Sequence, residues 1–120
     1  MKENLISLLS TFGYKVMLQG SLLPKQPYPD SFFTFWNDDS SDQAHYDNNA
    51  ISYVWRFTVY FYSKNPELVN TVLINAKTLL KQNGWIVSGK GYDVATDEPT
   101  HTGRAIDLLF LELEDEKQNG

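Results

Sequence analysis

The run from Ile51 to Tyr62 (ISYVWRFTVYFY) constrains the fold more than any other stretch of the chain. It is rich in β-branched and aromatic residues and contains neither Gly nor Pro, which is typical of a strand. Alternate side chains of a strand point to opposite faces of its sheet, so one face here carries an unbroken apolar row from Ile51 to Phe61. The other face mixes rings and hydroxyls with the single cation Arg56. The sequence therefore predicts a central strand with one face covered by a helix and a second face that can meet another protein.

The flanking segments predict one domain over residues 1–120. A short helix is expected at 3–12 and a long one at about 65–83, with Asn65 as N-cap, Pro66 in the first turn and Gly84 after the end. The other strands are expected at 14–18, 31–36, 85–87, 92–95 and 104–113, with a turn or bulge at 88–91. Strands and helices segregate along the chain rather than alternate. This pattern predicts an α+β fold, an antiparallel or mixed β-sheet with both helices on one face.

Composition excludes several classes of site and partner. The 120 residues suffice for one domain with its own core. The absence of cysteine excludes disulfides, thiolate metal sites and cysteine nucleophiles, and fits a reducing cytoplasm. A net charge of −5 opposes non-specific binding to DNA or to an anionic membrane. No signal peptide and no apolar run near the length of a membrane helix are recognisable. We expect no cofactor and no membrane partner.

The acidic loop at 37–50 is the first candidate for chemistry. It contains four carboxylates and no Lys or Arg, the carboxylates being Asp38, Asp39, Asp42 and Asp47. Such oxygens suit calcium, but the ligand spacing and the glycine of a calcium-binding loop are missing. The pattern favours a solvated loop over a metal site.

The polar bend before the last strand is the second candidate. Asp97, Glu98 and His101 could form an acid–base group, but no nucleophile or oxyanion site accompanies them. Asp and Thr side chains more often fix bends by bonding to their own backbone. The Gly89-Lys90-Gly91 triplet lacks the pattern of a phosphate-binding loop and predicts a kink in a strand instead. The sequence therefore predicts a protein that is not an enzyme.

Two stretches together carry a family resemblance. They are YVWRFTVYFYSKNPELVNTVLINAKTLLKQNGW (Tyr53–Trp85) and GYDVATDEPTHTGRAIDLLFLE (Gly91–Glu112), and the most specific part runs from Asp93 to Arg104. The chain in this region resembles the tail terminator family, the small tail-completion proteins of long-tailed bacteriophages and prophages of Gram-positive bacteria. The N-terminal third, including the acidic loop, contributes little to the resemblance.

The resemblance implies a structural virion protein, located in the tail or neck after assembly in the host cytoplasm. Tail terminators are α+β subunits that form a hexameric ring. The ring caps the tube of the major tail tube protein and then docks onto the head-completion or connector protein, and DNA later passes through its lumen without specific binding. No chemistry is required of such a ring.

A closed ring needs two unlike patches on each subunit, so that each copy binds the next. One predicted patch is the second face of the central strand, with Arg56, Thr58, Tyr60 and Tyr62. The other is the bend, with Asp97, Glu98, Thr100, His101 and Arg104. Arg104 could bridge to a carboxylate of the neighbouring subunit, or pair within its own chain, for example with Asp97. The acidic loop is a candidate for the lumen or for docking.

Three other interpretations stay open. The chain could be a head-closure or connector component of the neck. It could be a small acidic protein that binds a regulatory partner and never forms rings. It could be an enzyme in which Asp97, Glu98 and His101 converge.

Overall fold

A computed structural model describes residues 2–18, 29–38, 51–95 and 100–113. The helices are α1 (Lys2–Ser10) and α2 (Pro66–Gln82). The strands are β1 (Lys15–Leu18), β2 (Ser31–Asn37), β3 (Ile51–Ser63), β4 (Ile86–Val94) and β5 (Thr102–Leu113). The predicted α+β architecture is confirmed. The segments expected at 85–87 and 92–95 are the two ends of one strand, β4.

The five strands form one sheet in the order β1-β2-β3-β5-β4, with β3 at its centre as expected. The pairs β2–β3, β3–β5 and β4–β5 are antiparallel, whereas β1 runs parallel to β2, so the sheet is mixed. Parallel neighbours need a crossover of about a dozen residues, and the chain between Leu18 and Ser31 has that length. The sequence signals for a strand do not reveal this direction.

The core lies between the sheet and the two helices. Its largest fully buried side chains are aromatic and come from β2 and β3: Phe33, Phe57 and Phe61. The rings of Phe33 and Phe61, which are cross-strand partners, have centroids 4.7 Å apart. Burying a side chain of this size contributes about 2–3 kcal/mol. The apolar row predicted along one face of the central strand therefore forms the sheet side of the core.

The ends of α2 are fixed by the residues that the sequence singled out. The Asn65 side chain accepts a hydrogen bond from the Glu67 amide at 3.1 Å, as an N-cap does. Gly84 has φ 89°, the left-handed conformation that follows many helices. The chain then turns inward at Trp85, which is buried and donates from its indole Nε1 to Oδ1 of Asn4 at 3.0 Å. This bond ties α1 to the end of α2.

A β-bulge interrupts β4 between Ser88 and Tyr92, as the Gly89-Lys90-Gly91 segment predicted. Gly91 has φ 90°, and a Cβ atom there would lie only 2.8 Å from the Ala105 carbonyl oxygen. Only glycine fits this position without a shift of the backbone. Lys77 of α2 donates from Nζ to the Gly89 carbonyl oxygen at 2.7 Å, so the bulge is held against the helix.

Candidate assembly surface

Both helices contact the same face of the sheet, and the opposite face forms the candidate site. This second face carries the even-numbered residues of β3 from Val54 to Tyr62, the residues of β2 and β5 paired with them, and Ile86, Ser88 and Tyr92 of β4. Among the described residues, five large hydrophobic side chains are exposed, and three of them lie here. These are Trp36, Ile86 and Tyr92, which are 49%, 47% and 45% exposed.

A row of rings crosses one end of the second face. The Tyr60 and Tyr62 rings are parallel within 2°, with centroids 6.2 Å apart. Phe32 stacks on Tyr62 at 5.2 Å, and His101 meets Phe32 edge-on at 6.0 Å. Each such pair contributes about 0.5–1.5 kcal/mol beyond the area it buries. The row therefore stabilises the packing at this end of the face.

His101 has a structural position in the described part of the chain. It is 8% exposed, and its Nε2 lies 2.8 Å from the Pro29 carbonyl oxygen. A carbonyl only accepts, so Nε2 carries the hydrogen, while Nδ1 lies 3.1 Å from the exposed Thr100 hydroxyl. Both ring nitrogens are thus engaged within the chain, and His101 joins the start of β5 to the segment before β2. Asp97 and Glu98, its suggested partners in acid–base chemistry, lie outside the described residues.

A cluster of oxygens occupies the middle of the second face. The Thr58 hydroxyl lies 2.5 Å from Oδ2 of Asp38 and 3.0 Å from Oδ1 of Asp107. Tyr92 donates its hydroxyl to the same Asp107 oxygen at 3.1 Å. Thr58 is buried, whereas both carboxylates are exposed. Since one hydroxyl has one hydrogen, Thr58 satisfies only one of the two carboxylates at a time.

The pKa values of the two tyrosines beside this cluster, Tyr60 and Tyr92, are raised. Loss of water raises the pKa of Tyr92 to about 12, and the hydrogen bond to Asp107 and its negative charge add to the effect. Tyr92 as a residue is 45% exposed, so this loss of water is only partial. Burial also raises the pKa of Tyr60, followed by the charges of Asp38 and Asp107. Both phenols therefore stay neutral near pH 7.

Arg104 lies on the helix side of the sheet, because it pairs with Phe61 across the β3–β5 ladder. Its Nη1 donates to Oδ1 of Asp93 at 2.7 Å, and its Nη2 donates to the Lys90 carbonyl oxygen at 3.2 Å. Among the described residues Arg104 therefore pairs with Asp93 of its own chain; Asp97 lies outside them, and a bridge to a neighbouring subunit stays a prediction. The ion pair lies at the surface, with the Asp93 side chain 82% exposed, and is worth about 0–1 kcal/mol.

The predicted patch residues fall into three groups. Arg56, Tyr60 and Tyr62 lie on the second face, with Arg56 exposed and the tyrosines half-buried, whereas Thr58 is buried beneath the carboxylates. Among the bend residues, His101 belongs to the row of rings at one end of this face, whereas Arg104 lies on the helix side, so the bend residues do not form one patch. The acidic residues Asp39, Asp42 and Asp47, like Asp97 and Glu98, lie outside the described residues; Asp38 is described and belongs to the oxygen cluster.

Four residues that make the second face distinctive were not predicted from the sequence: Trp36, Ile86, Tyr92 and Asp107. Alternation within β2 does place Trp36 opposite the buried Phe33 and Phe35, which is a usable signal. The meeting of Asp107 and Tyr92 depends on the register across the β4 bulge, which no sequence pattern specifies.

Within the described ranges, no group of three or more His, Cys, Asp or Glu side chains is placed to hold a metal ion. In the same ranges no helix is both long and apolar enough to cross a membrane. The sequence matches no model of a known protein family and no functionally characterised protein.

Proposed function

We propose that this protein is a structural subunit of a bacteriophage virion, a tail terminator that assembles into a ring at the end of the tail tube. The observation that carries the proposal is the second face, where Trp36, Ile86 and Tyr92 are exposed around the Asp38–Asp107 pair. Exposed apolar side chains grouped on one surface are typical of protein–protein contact. The resemblance of Tyr53–Trp85 and Gly91–Glu112 to tail terminators supplies the kind of assembly.

The rest of the molecule is compatible with a role in assembly. A helix-backed sheet with a tightly packed aromatic core is a rigid subunit, as a ring requires. The net charge of −5 disfavours adhesion to DNA that travels through a lumen. The tail tube protein and the head-completion or connector protein would bind the two ends of the ring.

A reconstitution experiment tests this function. Tubes assembled from the major tail tube protein are mixed with the purified chain, and their length and ends are followed by negative-stain electron microscopy. We expect elongation to stop and a ring to cover one end of each tube. The mass of a free hexamer would be about 83 kDa, six times the 13.8 kDa of the chain, and light scattering measures it.

The alternatives give different results in the same experiment. A head-closure or connector component would bind the connector and leave tube growth unchanged. A protein that binds a regulatory partner would bind neither the tube nor the connector, and its molar mass would stay that of a monomer or dimer at every concentration. Tubes that grow at the same rate and show bare ends in excess protein would rule out the tail terminator function.

A further inference from the structure

We propose that the ring is built by one repeated contact, in which the exposed stripe of α2 on one copy packs on the second face of the next copy. The stripe consists of Ile74, Lys77, Thr78 and Lys81. The proposal rests on the assembly function proposed above and specifies which two surfaces of the subunit meet.

The stripe has the spacing i, i+3, i+4 and i+7, which places its four residues on one side of a helix. Ile74 is 53% exposed and is the one large hydrophobic residue that α2 leaves in water. Lys81 is exposed, whereas Lys77 is half-buried and donates from Nζ to the carbonyl oxygen of Gly89, in the bulge that also carries the exposed Lys90. The stripe is therefore an apolar side chain surrounded by cations.

The second face offers the complementary surface. Within the described residues, the Asp38 and Asp107 carboxylates accept from the hydroxyls of Thr58 and Tyr92, and both carboxylates are exposed. Exposed carboxylates are suited to ammonium groups. Exposed rings on the same face can pack against an aliphatic side chain and the stems of lysines.

The exposed part of the second face nearest Asp107 lies over β4. There Ser88 pairs with Asp107, and Tyr92 donates its hydroxyl to the Asp107 carboxylate. We therefore place the stripe over Ser88 and Tyr92.

The sheet edges are poor alternatives for this contact. β1 is only four residues long, and β4 is interrupted by its bulge, two features that oppose the addition of another strand. The stripe and the second face lie on opposite layers of the subunit, so a contact between them is heterologous. Such a contact closes into a ring or continues as a filament, and it cannot end as a two-fold dimer.

Cross-linking in this naturally cysteine-free chain tests the contact. Thr78→Cys labels the stripe and Ser88→Cys labels the second face; both positions are exposed, and the lysines and carboxylates stay intact. The two variants are mixed, with and without tail tubes, and treated with a short bismaleimide. We expect a covalent heterodimer, and a ladder ending at the ring size from the variant that carries both changes.

Ser7→Cys is the matched control, because it is an exposed helix position outside the stripe. We expect it to cross-link to Ser88→Cys about tenfold more slowly, and Lys81→Glu to reduce the Thr78–Ser88 rate about as much. Equal rates for Ser7 and Thr78, or a dominant Ser88–Ser88 product, would overturn the proposal.

The same samples separate this contact from the proposed function. Cysteine variants that cap tubes but give no Thr78–Ser88 product would show that the ring uses other surfaces. A ladder from the doubly substituted chain, together with bare, growing tubes, would support the contact and reject the tail terminator function.

Discussion

The substitution Gly103→Ala, which adds one methyl group, should test how tightly the second face is packed around Tyr62. It is buried in β5 and pairs with Tyr62 on one side and Val94 on the other. In Gly103→Ala, the new carbon would lie 2.7 Å from Cδ1 and Cε1 of Tyr62 and 2.9 Å from Cγ2 of Val94. Carbon atoms normally approach to about 3.5–4.0 Å, so the Tyr62 ring must move.

The cost follows from what holds that ring. Tyr62 stacks on Phe32 at 5.2 Å and on Tyr60 at 6.2 Å, so any tilt weakens at least one pair. Overpacking of this kind costs about 1–3 kcal/mol. Alanine recovers about 0.5–1 kcal/mol, because glycine loses more backbone entropy on folding. The net fall in the free energy of unfolding should therefore be between about 0 and 2.5 kcal/mol, with Tm falling by about 4 °C for each kcal/mol in a chain of this size.

Thermal and urea unfolding of a double-mutant cycle measure this cost. Tyr62→Val removes both ring atoms that the new carbon meets, so Gly103→Ala should cost clearly less in that background, where the 2.9 Å approach to Cγ2 of Val94 remains. The coupling free energy should be about 1–2 kcal/mol. A Gly103→Ala change that costs the same with and without the ring would refute the argument, because the cost would then arise elsewhere.

Three smaller predictions concern other contacts. Asn65→Ala should lower the free energy of unfolding by about 1 kcal/mol in urea titrations through loss of the α2 N-cap. The exposed mid-helix change Asn75→Ala should instead raise it by about 0.5 kcal/mol, because alanine has the higher helix propensity. Asn4→Leu should cost about 1–3 kcal/mol, because it leaves the buried indole N–H of Trp85 without its acceptor, and the tryptophan fluorescence should report the change. The raised pKa of Tyr92 stabilises the fold fully below pH 10, and this contribution disappears as the pH rises towards 12. A shift of two pKa units equals about 2.7 kcal/mol, but Tyr92 is 45% exposed, so solvent screening reduces its contribution to about 1 kcal/mol or less. In Tyr92→Phe, the free energy of unfolding should therefore fall less steeply between pH 10 and 12.

Much of the architecture could be predicted from local sequence patterns. Period-two alternation identified β3, and helical periodicity with Asn65 and Gly84 bounded α2 to within a residue or two, since these signals depend on neighbours in sequence. The kink in β4 followed from the glycine triplet, and both glycines of the triplet have positive φ. The parallel direction of β1 could not be predicted, because strand direction depends on the path of the connection.

Less of the candidate site could be predicted from the sequence, for a physical reason. Alternation in β3 separates two faces, but it does not specify which residues of other strands align beside them. Arg104 illustrates this, because the β4–β5 register gives it Asp93 as its neighbour. The gathering of Asp38, Asp107 and Tyr92 around Thr58 likewise requires three strands and one connection to meet.

By itself, the sequence determined which segments are helices and strands, which side of β3 enters the core, and where α2 begins and ends. Each of these follows from the chemistry of residues a few positions apart. Only the tertiary structure decided the direction of β1, the partner of Arg104 and the composition of the second face. These depend on register and strand order, which bring together residues such as Trp36 and Tyr92 that are far apart in the chain.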